Sequence, residues 1–153
     1  MNNDNGLINP EWISNYLISS FPGLNQVNTW GEVCFFYNPH RKLKYGVFCC
    51  TIKEKDGPKD KASNLDRENV FRLNFYLSKE TFLRIFGKVP ERPGKISTFS
   101  GLYDFEALNT LTPHPIYGWM RWVSILNPTA ATWCKIEPLL AESYALSIKK
   151  YNS

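Results

Sequence analysis

The sequence predicts an α+β fold: a two-layer sandwich, with a mainly antiparallel sheet and helices packed on one face. Three observations carry this. Runs rich in aromatic and β-branched residues are joined by short turns, which pairs neighbouring strands antiparallel. Amphipathic helical stretches gather at the two ends of the chain. Nothing repeats internally, which argues against a solenoid.

The first element, "NPEWISNYLISSFPG", reads as a helix. Asn9 is suited to cap it and Pro10 to open its first turn. Trp12, Ile13, Tyr16, Leu17 and Phe21 recur at helical spacing, and Pro22-Gly23 stops the run. "EVCFFYNP" and "YGVFCCTIK" read as two strands of a hairpin joined by the basic turn "RKLK". Both are apolar at nearly every position, so at least one is expected to be covered on both faces. Cys49 and Cys50 should point to opposite faces.

"EKDGPKDKASNLDREN" is polar and aperiodic, and reads as a long loop. In "VFRLNFYLS", Phe71, Leu73, Phe75 and Leu77 alternate with Val70, Arg72, Asn74 and Tyr76. One face of that strand should be wholly apolar and the other polar or amphipathic. "SKETFLRIFG" predicts a short helix capped by Ser78 and ended by Gly87. "KVPERPGKISTFSG" reads as loop, and "DFEALNTL" as a short helix capped by Asp104 and closed by Pro113. "YGWMRWVSILNP" enters a strand. "KIEPLLAESYALSIKKY" is an amphipathic helix with Ile136, Leu139, Leu140, Ser143, Tyr144 and Ile148 on one face.

The chain of 153 residues is expected to form one domain over 1–153, with 1–8 flexible. No run of about 18 apolar residues suggests a membrane span. The polar start "MNNDNGLINPEW" lacks the features of a secretory leader, so the expected location is cytoplasmic. Cys34, Cys49, Cys50 and Cys134 show no C-x-x-C and no zinc spacing, and read as reduced, mostly buried thiols. Asp56 is followed directly by Gly57, which excludes an EF-hand. No phosphate-cradling glycine loop occurs. No metal and no cofactor are expected.

The net charge of +4 is uneven: residues 41–95 hold fourteen basic and seven acidic side chains. A basic middle of this kind could attract phosphate or nucleic acid. The candidates for such a surface are Arg41, Lys42, Lys44, Lys53, Lys55 and Lys59.

The segment "LTPHPIYGWMRWVSILNP" concentrates the other candidates. His114 is held between Pro113 and Pro115, and its ordinary pKa permits acid–base work. The competing role is structural. Trp119 and Trp122 either fill the core or offer a ring for a flat ligand. If the strand begins near Trp122, Trp119 is free to line a rim beside His114. Arg67, Arg72 and Arg121 could fork a carboxylate or phosphate, or instead pair with Asp66, Asp104 or Glu106. Asp66, Arg67, Arg72, His114, Trp119 and Arg121 thus form the candidate ligand set.

The strand ending "FRLNFYLS", the capped helix, the Arg92-Pro93 loop, "WVSILN" and the helix carrying "LLAESY" together resemble the MmcQ/YjbR-like group of small bacterial proteins. Within that group the chain is similar to an uncharacterised family sharing stretches like "FFYNP", "DGPKDKASNLDR" and "GVFRLN", over roughly residues 30–148. Here Asn69 stands where that last stretch has glycine. The resemblance implies a YjbR-like fold, similar to that of CyaY and the double-wing proteins. Many such relatives carry a DNA-binding label, which rests on fold analogy.

Three readings follow. The chain is a non-enzymatic binding module, with nucleic acid as the partner the resemblance implies. Alternatively it holds a small anionic ligand in a pocket formed where residues 60–72 meet 114–122, around His114, Trp119 and Arg72, with or without catalysis. The third reading is a protein-interaction module. No membrane partner is expected, and the chain should be a monomer or weak homodimer.

Overall fold

The computed structural model describes residues 8–92 and 102–153. Helix α1 spans Pro10–Ser20. Strands β1 (Leu24–Thr29), β2 (Glu32–Tyr37), β3 (Val47–Lys53) and β4 (Arg72–Tyr76) follow. Helix α2 is Lys79–Phe86, β5 is Leu111–Pro113, β6 is Trp122–Leu126 and α3 is Ala130–Tyr151. The six strands form one sheet in the order β1-β2-β3-β4-β6-β5, every neighbouring pair antiparallel. The α+β two-layer prediction therefore holds. The expectations for the start of the chain and for the loop after Arg92 fall largely outside the described residues.

The helices begin and end where their local chemistry dictates. The Asn9 side chain accepts a hydrogen bond from the Trp12 N–H at 2.8 Å, and Pro10 occupies the first turn. Ser78 accepts from the Thr81 N–H at 3.2 Å, and Gly87 ends α2 at φ +80. The Ser78 hydroxyl also donates to Thr81 Oγ1, which donates to Glu142 on α3. The cap therefore ties α2 to α3. Ser78→Ala should lower the unfolding free energy by about 1 kcal/mol, read from the urea midpoint. No change would mean that the loop alone holds that end.

One face of the sheet carries the main core. Phe35, Cys50, Ile52, Leu73, Phe75, Val123 and Ile125 are buried there with Ile13 and Leu17 of α1 and Trp133, Ile136 and Leu140 of α3. Helix α3 starts at Ala130, capped by Thr129, earlier than the "KIEP" run suggests, and carries Pro138 in its interior. The extra turn is anchored by Trp133, whose ring meets Trp12 and Tyr16 edge-on at 5.3 Å. Ser143 and Ser147 let α3 approach a bulge in β3, where their hydroxyls donate to the Cys49 and Phe48 carbonyls at 2.7 Å.

Two strands were not anticipated. In β1, "LNQVNT" holds three amide side chains and lies at the sheet edge. In β5, a three-residue strand ends in Pro113. The expected helix at 104–111 is only a turn. Asp104 Oδ1 accepts from the Glu106 N–H, and the Asn109 N–H then bonds the Leu126 carbonyl in the sheet. Asn109 sits at φ +57, which stops helical propagation. Asn69, the departure from the expected glycine, lies at φ +60, and asparagine is the next most tolerant residue there.

Candidate functional site

The second face of the sheet carries the site. Register aligns Cys34, Thr51, Asn74, Ser124 and Thr112 in one row across five strands. Asn74 Nδ2 donates to Thr51 Oγ1 at 3.0 Å, and Ser124 Oγ donates to Asn74 Oδ1 at 2.7 Å. One step along the strands, Lys53 stands opposite Arg72. The alternation in β4 was read correctly, but its polar face is buried, not solvated: Arg72 is fully enclosed and Asn74 nearly so.

Burying a guanidinium is costly unless every donor finds a partner. Arg72 meets this through the long loop. Nη1 and Nη2 fork Asp60 at 3.0 and 2.5 Å, Nη1 also donates to Ser63 at 2.9 Å, and Nε donates to Asn74 Oδ1 at 2.8 Å. These bonds use four of its five hydrogens. The fifth, on Nη2, is directed at His114 Nε2, 3.4 Å from Nη2. The partner is Asp60, not the expected Asp66, Asp104 or Glu106. A tight turn that bridges Gly57 and Asp60 delivers it.

His114 is buried, and its tautomer follows from its neighbours. Nδ1 accepts from the Ile116 N–H at 3.0 Å and the Tyr117 N–H at 3.1 Å. Nδ1 therefore carries no proton, and the ring hydrogen sits on Nε2. The 3.4 Å approach to Arg72 is then one donor facing another. Burial, with the nearby charges of Arg72 and Lys53, holds the imidazole well below the ordinary value of 6.5. His114 is thus a fixed, neutral hydrogen-bond donor.

A cavity of about 350 Å³ opens over this row. Its floor includes Cys34, Phe48, Thr51 and Asn74, one wall Trp30 and Glu32, and the other His114, Tyr117, Met120 and Trp122. Tyr117 tilts against the His114 ring at 5.0 Å, and Trp122 packs on Tyr76 at 5.3 Å. Trp30 is 61% exposed and sits at φ +54 in the turn between β1 and β2, followed by Gly31 at φ +77. Both central residues of this two-residue hairpin need positive φ, which a bulky side chain adopts only at a cost of about 1–2 kcal/mol. Cys34 lines the cavity but is no nucleophile: burial, then Glu32, push its thiol up to about 12, with Lys53 opposing.

Residues 60–72 and 114–122 do meet, through Arg72, Asp60 and His114. Trp119 does not line the cavity. A turn of 3₁₀-helix at Gly118–Met120 places Tyr117 and Met120, three apart, on the cavity side. Trp119 instead lies under the Arg92 guanidinium at 4.7 Å. Asp66 and Arg67 organise the long loop: Asp66 accepts from the Asp56 N–H, and Arg67 donates to the Ser63, Asn64 and Glu106 carbonyls. Arg121 donates to the Leu77 carbonyl and lines a separate groove with Lys149 and Lys150.

The six basic candidates do not share a surface. Arg41, Lys42 and Lys44 precede β3, and Lys55 and Lys59 follow it, with about 20 Å of strand between. Lys53 is buried, and among the described residues it forms no ion pair.

The turn residue Trp30 escaped the sequence reading, as did the cavity-floor residues Thr51 and Asn74. Their signal was a small polar residue central to each of three apolar strands, "CCTIK", "RLNFY" and "WVSIL".

A family model for a family of unknown function, DUF6194, matches residues 8–153, which includes every residue of this site. The chain belongs to the DUF6194 family. No curated protein and no solved structure matches it significantly. Among the described residues of this DUF6194 chain, no cluster of His, Cys, Asp or Glu could hold a metal ion, and no helix is long and apolar enough to cross a membrane.

Proposed function

We propose that this DUF6194 chain is a binding domain for a flat small molecule, held in the cavity between Trp30 and Trp122. The observation that carries this is an exposed indole kept in a strained backbone position at the mouth of a cavity whose far wall is an immobilised imidazole. Strain retained at one exposed residue is a sign of function, since asparagine or glycine would fit that turn better. The volume lies at the small end of ligand sites, enough for one or two fused rings. Binding is favoured over catalysis: His114 Nδ1 is engaged by two backbone N–H groups and the Cys34 thiol stays protonated, so neither supplies a base or nucleophile. Nucleic acid is a weaker reading, because the basic side chains are split between the two ends of β3. The unpaired, buried thiols support a reducing, cytoplasmic setting. A YjbR-like relationship, proposed on the sequence resemblance, is compatible with an antiparallel sheet covered by helices on one face.

Trp30→Asn separates stability from binding. It relieves the strained φ, so its melting temperature should stay within about 3 °C of the parent or rise. Ring-compound fragments that perturb the Thr51, Asn74 and Tyr117 amide resonances in the parent should bind the variant about tenfold more weakly. Undiminished binding in a folded variant would remove Trp30 from the site and the reading with it.

A further inference from the structure

We infer that the cavity selects its ligand by an anionic oxygen, of carboxylate type, seated against His114 and Asn74, with the ligand's flat ring directed at the indoles. This rests on the small-molecule reading above and adds the chemical class. Two donor hydrogens of the cavity lining have no acceptor among the described residues. One is the Nε2–H of His114, fixed there because Nδ1 takes two backbone N–H groups. The other is the second hydrogen of Asn74 Nδ2, which remains after Thr51 takes the first. Arg72 is itself enclosed and does not line the cavity, but its Nη2 stands 3.4 Å from His114 Nε2 and places positive charge behind that donor.

The His114 Nε2–H faces the Arg72 N–H without an acceptor, and an anionic oxygen in the cavity offsets that repulsion by accepting from Nε2. An amine would bring a third donor to the same point. Charge favours the anion as well. Asp60 neutralises Arg72, but Lys53, buried beside it on the same face, has no ion-pair partner among the described residues. Glu32, on the opposite wall, is only partly buried and lies nearer Cys34, so solvent screens its repulsion more than it screens the buried Lys53.

Benzoate, benzamide and benzylamine share one ring and differ in the group offered to His114. They can be titrated into the ¹⁵N-labelled full chain, following backbone amides and the His114 ring ¹⁵N and Nε2–H signals. Benzoate should perturb Thr51, Asn74 and Tyr117, move the Nε2–H proton downfield, and bind at least about tenfold tighter than benzamide. Benzylamine should bind most weakly. If benzamide or benzylamine binds as tightly as benzoate at these residues, the anion preference is overturned while the binding reading stands. If the cavity resonances respond to none of the three, the binding reading fails for a single ring, and the inference falls with it. A ring spectrum of the free chain with the proton on Nδ1 would overturn the inference without any ligand.

Discussion

Arg72→Met should cost about 3–5 kcal/mol of unfolding free energy, the largest single effect expected outside the apolar core. The side chain is the most bulky of those fully buried, and four of its hydrogens meet side-chain oxygens. Methionine fills much of the volume but returns none of the bonds. Asp60 then remains as a carboxylate, largely enclosed, without its ion-pair partner. Ser63 and the Asn74 Oδ1 lone pair lose a partner in the same step, and each such loss in the interior costs about 1–3 kcal/mol. A domain of this size has a total stability of about 5–15 kcal/mol, so the variant should be close to its folding threshold at 37 °C. The measurement is the urea midpoint, with its slope checked for two-state behaviour. Asp60→Leu combined with Arg72→Met should recover much of the loss, because the stranded charge is removed with its partner. A single-variant loss below about 1 kcal/mol would mean that water reaches Asp60 and that the network is no true interior feature.

The same network explains which parts of the protein were legible in the sequence. Caps and stops are local, so Asn9, Pro10, Ser78 and Gly87 could be read directly. The β2–β3 hairpin and the alternation of β4 were equally plain, because apolar side chains set them. Strand β1 was not, because Asn25, Gln26 and Asn28 give an edge strand none of the β-branched character that marks an inner one. Losing β1 also concealed Trp30, which matters only as a hairpin turn residue. His114 and Arg72 were visible as chemistry, whereas their juxtaposition depends on β5 and β6, of which the first is three residues long. The choice of Asp60 over Asp66 is not a pattern at all. Both lie in one polar loop, and only the Gly57–Asp60 turn decides which carboxylate reaches the sheet. Trp119 and Trp122 were separated by a 3₁₀ turn that reverses the expected roles, since three residues per turn puts Tyr117 above Met120 and leaves Trp119 outside.

Burial of a neutral His114 should also make the protein acid-sensitive in a defined window. In the unfolded chain the imidazole titrates near 6.5, and in the fold its value lies well below that. Between the two, the unfolded state binds more protons than the folded one, so unfolding free energy rises with pH. Stability should be level above about pH 7.5 and fall as the pH drops below 6.5, with a slope of at most about 1.4 kcal/mol per pH unit. The geometry gives the same sign. Protonating Nδ1 would set a third N–H against those of Ile116 and Tyr117, beside the fifth hydrogen of Arg72 and the charge of Lys53. His114→Asn isolates the effect, because an amide oxygen can still accept from the two backbone N–H groups but carries no proton to titrate. The difference between parent and variant unfolding free energies, measured from pH 5 to pH 8, should therefore slope in this window and flatten above it. Parallel curves for the two proteins would mean that His114 takes up its proton inside the fold as readily as outside it.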